Sequence, residues 1–558
     1  MQDLSRRRAF EPYEKLSPFE IKDKLIQLAK DSAKKSTFAM LNAGRGNPNW
    51  VATTPREGFF LLGQFGIEEC KRVMDAPDMG GMPQADGIAG RLDTFLKAHA
   101  DAPGAAFLRD AVAFAIVRFG FDADALVHEL VDSIIGDNYP VPDRMLVHAE
   151  KIVHAYLMWA MCDGKPPEGR FDLFAVEGGT AAMCYTFKSL IQNEILHKGD
   201  TIALGVPIFT PYIEIAHLND YQFNVVNLVA TMENRFQYTD AELSKLEDPR
   251  IKAFFIVNPG NPSSAAISEE VIGKIAHLVR TKRPDLLILT DDVYGTFIPG
   301  FRSLMAELPH NTIGVYSYSK YFGCTGWRLG VIAIHEDNII DRMIASHPKE
   351  VADRLNARYG CLTLDPAGMK FIDRMVADSR DVALNHTAGL SLPQQAQMTL
   401  FSLFQLLDTD ERYRKHTIDI VKRRVAATVH GLGIEPTTGT HPLYASYYGI
   451  IDFEYWIRKY LGDEVASFVK QHYHPLDIVY RLAHDHALVL LNGGGFHAPD
   501  WSVRVSFANL PDDVYDDIGR IVRSVAATYV EAYRFSKGEV AAEPRIAAVI
   551  EEPAEAVH

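Results

Sequence analysis

From residue 171 onward, short apolar runs recur between stretches of helical periodicity: FDLFAV at 171–176, TIALGV at 201–206, FNVVNLV at 223–229, IKAFFIV at 251–257, LLILT at 286–290, TIGVYS at 312–317 and GVIAI at 330–334. Runs this short are strands buried on both faces, and their alternation with helices predicts an α/β fold in which a parallel or mixed sheet carries helices on both faces. One intervening helix is explicit. Ser268 stands as its N-cap, Glu269 and Glu270 occupy the first turn, and Val271, Ile272, Ile275, Leu278 and Val279 fall on one face.

Upstream, Ser17-Pro18-Phe19-Glu20 has the pattern of a capping box with proline at the first helical position, and Ile21, Leu25, Leu28 and Ala29 follow at helical spacing. Residues 37–50 are rich in Gly, Asn and Pro and predict a loop or arm. Residues 51–135 carry mostly helical periodicity. Beyond about residue 370 the pattern is helical again, with strands at 446–452, 487–491 and 502–507, as in a smaller α+β lobe. The expected divisions are an N-terminal helix and arm (1–50), a helical insertion (51–135), a large α/β domain (136–370), a small α+β domain (371–535) and a tail from 536 to 558, whose Ala, Glu and Pro offer little to bury.

Composition narrows the function. The 558 residues, 47% hydrophobic and 23% charged, suffice for more than one lobe and leave room for a site between lobes. A formal charge of -15 without a dense basic run argues against nucleic acid as a partner. Arg6, Arg7 and Arg8 are followed by Glu11, Glu14 and Lys15 where an export signal would place its apolar region, and no run is long and apolar enough for a membrane span. The expected compartment is the cytoplasm. Five scattered cysteines with no CxxC pair suggest reduced thiols rather than a zinc site.

Several strand ends carry groups with chemical potential. After the first run, Glu177-Gly178-Gly179-Thr180 passes from strand to helix, where backbone amides at a helix N-terminus can receive a phosphate dianion. Near the C-terminus, Arg504 lies in an alternating strand, and its planar guanidinium suits a carboxylate. Taken singly, each has an ordinary explanation as a connection or an exposed arginine.

Ser317-Tyr-Ser-Lys320, followed after seven intervening residues by Arg328 in GWRLG, resembles the lysine motif of fold-type I pyridoxal-phosphate enzymes. The resemblance implies that Lys320 holds the cofactor as an imine and moves protons at the substrate's α-carbon, while Ser317 and Arg328 bind the cofactor phosphate. Asp291 and Tyr294 match the family's DxxY; Asp291 would face the pyridine nitrogen and Tyr294 the phenolic oxygen. Asn258-Pro-Gly-Asn261-Pro resembles its NPxNP loop, with Asn261 as second contact to that oxygen, although Ser263-Ser264 stands where Thr-Gly is usual. Gly178, Gly179 and Thr180 match the phosphate cup, Phe209 the ring that stacks on the cofactor, Arg504 the grip on the substrate α-carboxylate, and Tyr139 a tyrosine that reaches the phosphate from a neighbouring subunit. A homo-oligomer, at least a dimer, follows.

The helical insertion, a second expansion at 453–482, the NAGRGNPNW arm and the segment NGGGFHAPDWSVRVSFANL resemble the bacterial aspartate 4-decarboxylases. That likeness implies conversion of L-aspartate to L-alanine and CO2, with aspartate transamination as a side reaction and a keto acid such as pyruvate restoring the cofactor. The second carboxylate needs a cationic partner, for which Arg45, Arg374 and Arg380 are candidates. Two alternatives remain at this point. One is an aspartate or other amino-acid aminotransferase without decarboxylase activity. The other is a noncatalytic pyridoxal-phosphate-binding regulator, which would carry a DNA-binding domain; the first 130 residues lack basic helix-turn-helix character.

Overall fold

A computed structural model describes residues 10–13, 16–35, 40–74, 76–380, 389–434 and 441–539. Arg6, Arg7, Arg8, Glu14, Lys15 and the tail beyond Glu539 lie outside the described residues. The strands, numbered along the chain, begin with the two-residue β1 (Leu41–Asn42). Each apolar run then becomes a strand: β2 (Phe171–Val176), β3 (Thr201–Val206), β4 (Asn224–Val229), β5 (Ile251–Val257), β6 (Leu287–Asp291), β7 (Thr312–Ser317) and β8 (Gly330–His335).

These seven strands form one sheet in the order β2-β8-β7-β6-β5-β3-β4. β8 runs antiparallel to both neighbours and every other pairing is parallel. The carboxyl ends of β2, β3, β5, β6 and β7 therefore gather along one rim, and the chain winds outward in opposite directions from the β3–β5 boundary. In open α/β sheets that boundary is where ligands bind. Asp291, at the end of β6, is in register with Val257 of β5 and Val315 of β7, which fixes its depth at the middle of the rim.

The helix between β5 and β6 spans Glu269–Thr281, with the Ser268 hydroxyl accepting from Val271 N at 3.2 Å and the expected apolar face buried. Such a cap contributes about 1 kcal/mol. The N-terminal helix (Pro18–Lys35) buries Ile21, Leu25 and Ala29 and packs against the helix Asp477–His486. Its start departs from a reciprocal capping box: the Ser17 hydroxyl donates to the Glu20 carboxylate instead of accepting from a backbone amide.

Residues 51–135 supply the helices Thr53–Val73, Ile88–Ala98, Ala105–Phe119 and Ala123–Ile135. Their core includes Leu62, Leu108 and Leu126 and merges with Ile152 of the following helix and with Ala396, Leu400 and Leu403 of the helix Leu392–Leu407, so this segment shares a hydrophobic core with later parts of the chain. Within it the carboxylate of Glu69, almost wholly buried, is neutralised by Arg91 at 2.8 Å and Arg72 at 3.2 Å.

The C-terminal lobe carries a three-stranded antiparallel sheet, β11 (Leu491–Asn492), β12 (Ser502–Ser506) and β9 (Tyr448–Asp452), while β10 (Leu488–Val489) pairs in parallel with β1. The arm of residues 40–50 is thereby stitched into this lobe. Two turns join the lobe to the rim of the large sheet: Ile208 N donates to Phe496 O at 3.0 Å, and the Thr210 hydroxyl to Gly495 O at 3.1 Å. Among the described residues no helix is long and apolar enough to cross a membrane, and no cluster of three or more His, Cys, Asp or Glu is placed to hold a metal ion.

Candidate active site

A cavity of about 360 Å³ opens where the sheet rim, the arm and the small lobe meet. Gly179, Thr180, Phe209, Asn261, Asp291, Tyr294, Ser317, Lys320, Arg328 and Arg504 all line it. These residues lie as far apart in sequence as 179 and 504; the large sheet gathers those from 179 to 328 along its rim, and the small lobe supplies Arg504.

At one end lies an anion cradle. Gly178 (φ 91°, ψ 174°) adopts a backbone conformation open only to glycine, and from it the helix Gly179–Gln192 starts with its amide N–H groups toward the cavity. The Arg328 guanidinium closes the cradle, donating to Thr325 O at 2.7 Å and to Glu177 O at 3.4 Å. Arg328 itself sits in the left-handed region, φ 56°, held there by the turn that feeds β8. Ser317 and Ser319 hydroxyls, 3.0 Å apart, form the floor.

At the other end Asp291 is 7% exposed. Burial pushes its carboxyl up to about 6, although the Val293 N–H, the Tyr212 hydroxyl at 3.3 Å and the positive charge of Lys320 all favour its anion. This is the condition of a carboxylate awaiting a cation. Its neighbour Asp292 faces the opposite side of the strand, as alternation requires, where Thr290 donates to it at 2.6 Å and Ser303 donates as well, and it is pushed up to about 7 by burial. Asp292 braces the turn and does not line the cavity.

Lys320 lies between the two ends, its Nζ donating to Gly46 O of the arm at 3.0 Å. Tyr447 donates to the same carbonyl at 2.9 Å. Gly46 is glycine for a spatial reason: a β-carbon there would lie 2.5 Å from the Tyr448 hydroxyl and 3.2 Å from Lys320 Nζ.

Arg504, 1% exposed, projects from the centre of β12. Its Nη1 donates to Asn261 Oδ1 at 3.1 Å and its Nη2 to Gly44 O at 2.8 Å, which leaves the Asn261 NH2 as a donor. The guanidinium lies over the rings of Tyr448 at 4.3 Å, Phe496 at 5.0 Å and Phe19 at 5.7 Å. Burial lowers its pKa, opposed by the three nearby tyrosine hydroxyls, and its Nε has no hydrogen-bond partner among the described residues. A buried guanidinium that lines a cavity and has no carboxylate of its own among the described residues is a seat for an anion.

An anion cradle, an amine, a deep carboxylate and an aromatic wall fit a phosphate-bearing ring with a basic nitrogen opposite its phosphate. The candidates for a second carboxylate do not join them. Arg374 is buried elsewhere, its guanidinium donating to Met369 O, Pro366 O and Asn193 Oδ1 and stacked on Tyr359. Arg380 pairs with Glu177 at 2.7 Å beneath the cradle, Arg45 is exposed on the arm, and neither lines the cavity. Tyr139 is 65% exposed and lines no part of its own chain's cavity. Phe19, Asn47, Tyr212 and Tyr448 do line it without having been expected to. Phe19 belongs to the N-terminal helix and meets Phe209 edge-on at 6.0 Å.

The fold is that of the aminotransferases. The Thermus thermophilus aspartate aminotransferase with maleate superposes with a TM-score of 0.54 over 93% of this chain and 98% of its own at 16% identity, and the Rhizobium meliloti aspartate aminotransferase with 0.56 over 90% and 95% at 15% identity. The family model for aminotransferase class I and II matches residues 174–388. A Pseudomonas protein described as a bifunctional aspartate aminotransferase and L-aspartate beta-decarboxylase is 46% identical over 93% of this chain and 97% of its own. The chain belongs to the family of that bifunctional enzyme.

Proposed function

We propose that this chain is a pyridoxal-phosphate-dependent enzyme that removes the β-carboxylate of L-aspartate to give L-alanine and CO2 and that also transaminates aspartate. The observation that carries the reading is the single cavity shared by Lys320, Asp291 and Arg504, at which 46% identity to the bifunctional Pseudomonas enzyme converges with the geometry.

Pyridoxal phosphate, when bound, supplies an electron-accepting ring for bonds broken next to the substrate nitrogen. Lys320 would hold it through its amine and would move a proton at the substrate's α-carbon. Asp291 places a buried negative charge against the ring nitrogen, which favours its protonated form. Tyr294 and Asn261 donate to the phenolic oxygen. Gly178, Gly179 and Thr180 offer backbone amides to the phosphate, joined by Ser317 and Arg328, and Phe209 stacks on the ring. Arg504 takes the α-carboxylate.

Decarboxylation and transamination share the removal of the α-proton and part afterwards. In one branch water attacks and a keto acid leaves; in the other the side-chain carboxylate leaves first. A tight ion pair to that carboxylate would stabilise the group being lost. Among the described residues the cations lining the cavity are Lys320, Arg328 and Arg504, each with a task already, which favours a loosely held β-carboxylate. Tyr139, exposed on its own chain, is proposed to reach the phosphate of a second copy, which makes the working unit at least a dimer.

The test is the fate of L-aspartate. CO2 and alanine are expected in equal amounts and in excess over oxaloacetate, with slow loss of activity that pyruvate reverses. Oxaloacetate alone, formed against a stoichiometric keto acid, would make the chain a transaminase.

A further inference from the structure

We infer that Tyr448 is a further catalytic residue, its hydroxyl delivering the proton to the carbon from which the side-chain carboxylate departs; this rests on the decarboxylation proposed above. Breaking the bond between Cβ and the carboxylate carbon releases CO2 and leaves the electron pair at Cβ. That carbon must take a proton to become the methyl group of alanine, and transamination has no corresponding step. A residue for this step must present an acidic hydrogen beside Cβ while Lys320 serves Cα.

The hydroxyls that line the cavity on tyrosines are those of Tyr212, Tyr294 and Tyr448. Tyr212 is committed to Asp291 at the far end. Tyr294 is proposed above for the phenolic oxygen; without cofactor its one hydroxyl hydrogen goes instead to the Tyr448 hydroxyl, at 3.3 Å. Tyr448 begins β9, its ring against the Arg504 guanidinium at 4.3 Å and its hydroxyl crowding the same point beside Gly46 as Lys320 Nζ. A substrate with its α-carboxylate on Arg504 and its α-carbon at Lys320 has Cβ one bond away, in the cavity that Tyr448 lines together with both of them. The bare Cα of Gly46 is what allows both groups to stand there.

The charges facing Tyr448 suit a donor that must recover its proton. Burial raises its pKa, yet Lys320, Arg504 and the hydrogen bond from Tyr294 outweigh burial and leave it below the usual phenol value; Tyr447, whose ring packs against it, is raised by burial and stays protonated. Of the three groups that lower it, Lys320 and Arg504 are cations, so the phenolate left after donation is stabilised in place. Balance is simple: the Tyr448 O–H proton goes to Cβ, and the phenolate regains one from solvent through the Lys320 ammonium.

The experiment compares wild type with Tyr448→Phe, full-length and loaded with pyridoxal phosphate, on L-aspartate. Alanine and CO2 are expected to fall by about 100-fold or more, the scale of general acid catalysis, while oxaloacetate release stays within about threefold. Binding of succinate is unchanged, because the ring that supports Arg504 is retained. In the cofactor-free proteins, a tyrosinate absorbance that titrates below the ordinary phenol range in wild type is missing from Tyr448→Phe. An unchanged ratio of alanine to oxaloacetate overturns the assignment, as does a loss shared equally by both products. Absence of CO2 from wild type overturns the functional reading and this one with it. Should the phenylalanine variant not fold, 3-fluorotyrosine at 448 keeps the shape and makes the hydroxyl more acidic. The alkaline limb of alanine formation then moves to lower pH, since a donor works only while protonated, and an unmoved limb overturns the proposal.

Discussion

Gly178 and Arg328 approach so closely that a β-carbon on the glycine would stand 2.5 Å from Arg328 Nη2. The strand-to-helix turn and the loop after the lysine are thus built against each other, and Gly330 repeats the constraint one layer below: a β-carbon on it would meet Gly178 Cα at 2.6 Å. Gly178→Ala is expected to displace the guanidinium and strain φ, weakening pyridoxal-phosphate binding about 10- to 100-fold, the worth of one or two charge-assisted hydrogen bonds. Cofactor titration followed by absorbance measures it; unchanged affinity would remove the cradle from the phosphate site.

Asp291 makes the stability of the cofactor-free protein depend on pH. Its folded pKa is raised to about 6 by burial, above that of an unfolded aspartate, so between about pH 4 and 6 the folded state holds more protons and stability falls as pH rises. Asp291→Asn should therefore stabilise the cofactor-free chain at pH 8, by up to about 3 kcal/mol, with the gain vanishing near pH 4. The same substitution should cost the loaded enzyme about 100-fold or more in turnover. Thermal unfolding at the two pH values checks the sign, which is opposite to that of a carboxylate held by an internal salt bridge.

Borohydride reduction of the loaded enzyme should fix the cofactor on the peptide containing Lys320, and Lys320→Ala should retain phosphate-dependent binding without turnover. Recovery of label on another lysine overturns the assignment.

For Tyr139, subunits carrying Lys320→Ala and subunits carrying Tyr139→Phe should regain part of the activity when mixed and reassembled, because one of the two sites of a mixed dimer has both groups intact. Strictly additive loss would confine the site to one chain.

Ile275 is wholly buried on the helix that covers β5 and β6, and truncation to alanine should cost about 2–5 kcal/mol without a selective effect on either product. Chemical denaturation with product analysis on the surviving protein tests both parts.

The sheet was legible because its strands are apolar runs of five to seven residues bounded by polar turns, a signal that survives without knowledge of partners. The rim residues were legible for a related reason. Gly178, Asn261, Asp291 and Lys320 follow strands immediately, so each motif is local, and the parallel sheet alone decides that they meet. Phe19 and Tyr448 escaped because their place depends on packing between distant segments. Phe19 stands beside the buried stripe of Ile21, Leu25 and Ala29 and reaches the cavity only because its helix ends against Phe209 and Phe496. Arg374 misled in the opposite way: an arginine at the right stage of the sequence is committed to carbonyls of its own neighbourhood. Likewise, the second aspartate of the Asp291-Asp292 pair carries no mark in sequence of facing away.

The Gly46 carbonyl accepts from Lys320 Nζ and from the Tyr447 hydroxyl together. The first of these bonds exists only while the amine has a hydrogen to give in that direction, so the free lysine is a latch for the N-terminal arm and a bonded lysine is not. By linkage, whatever the bond from Lys320 to Gly46 contributes in the empty protein is subtracted from the affinity for a molecule that claims the amine, and the arm in turn loses that fastening when the amine is claimed.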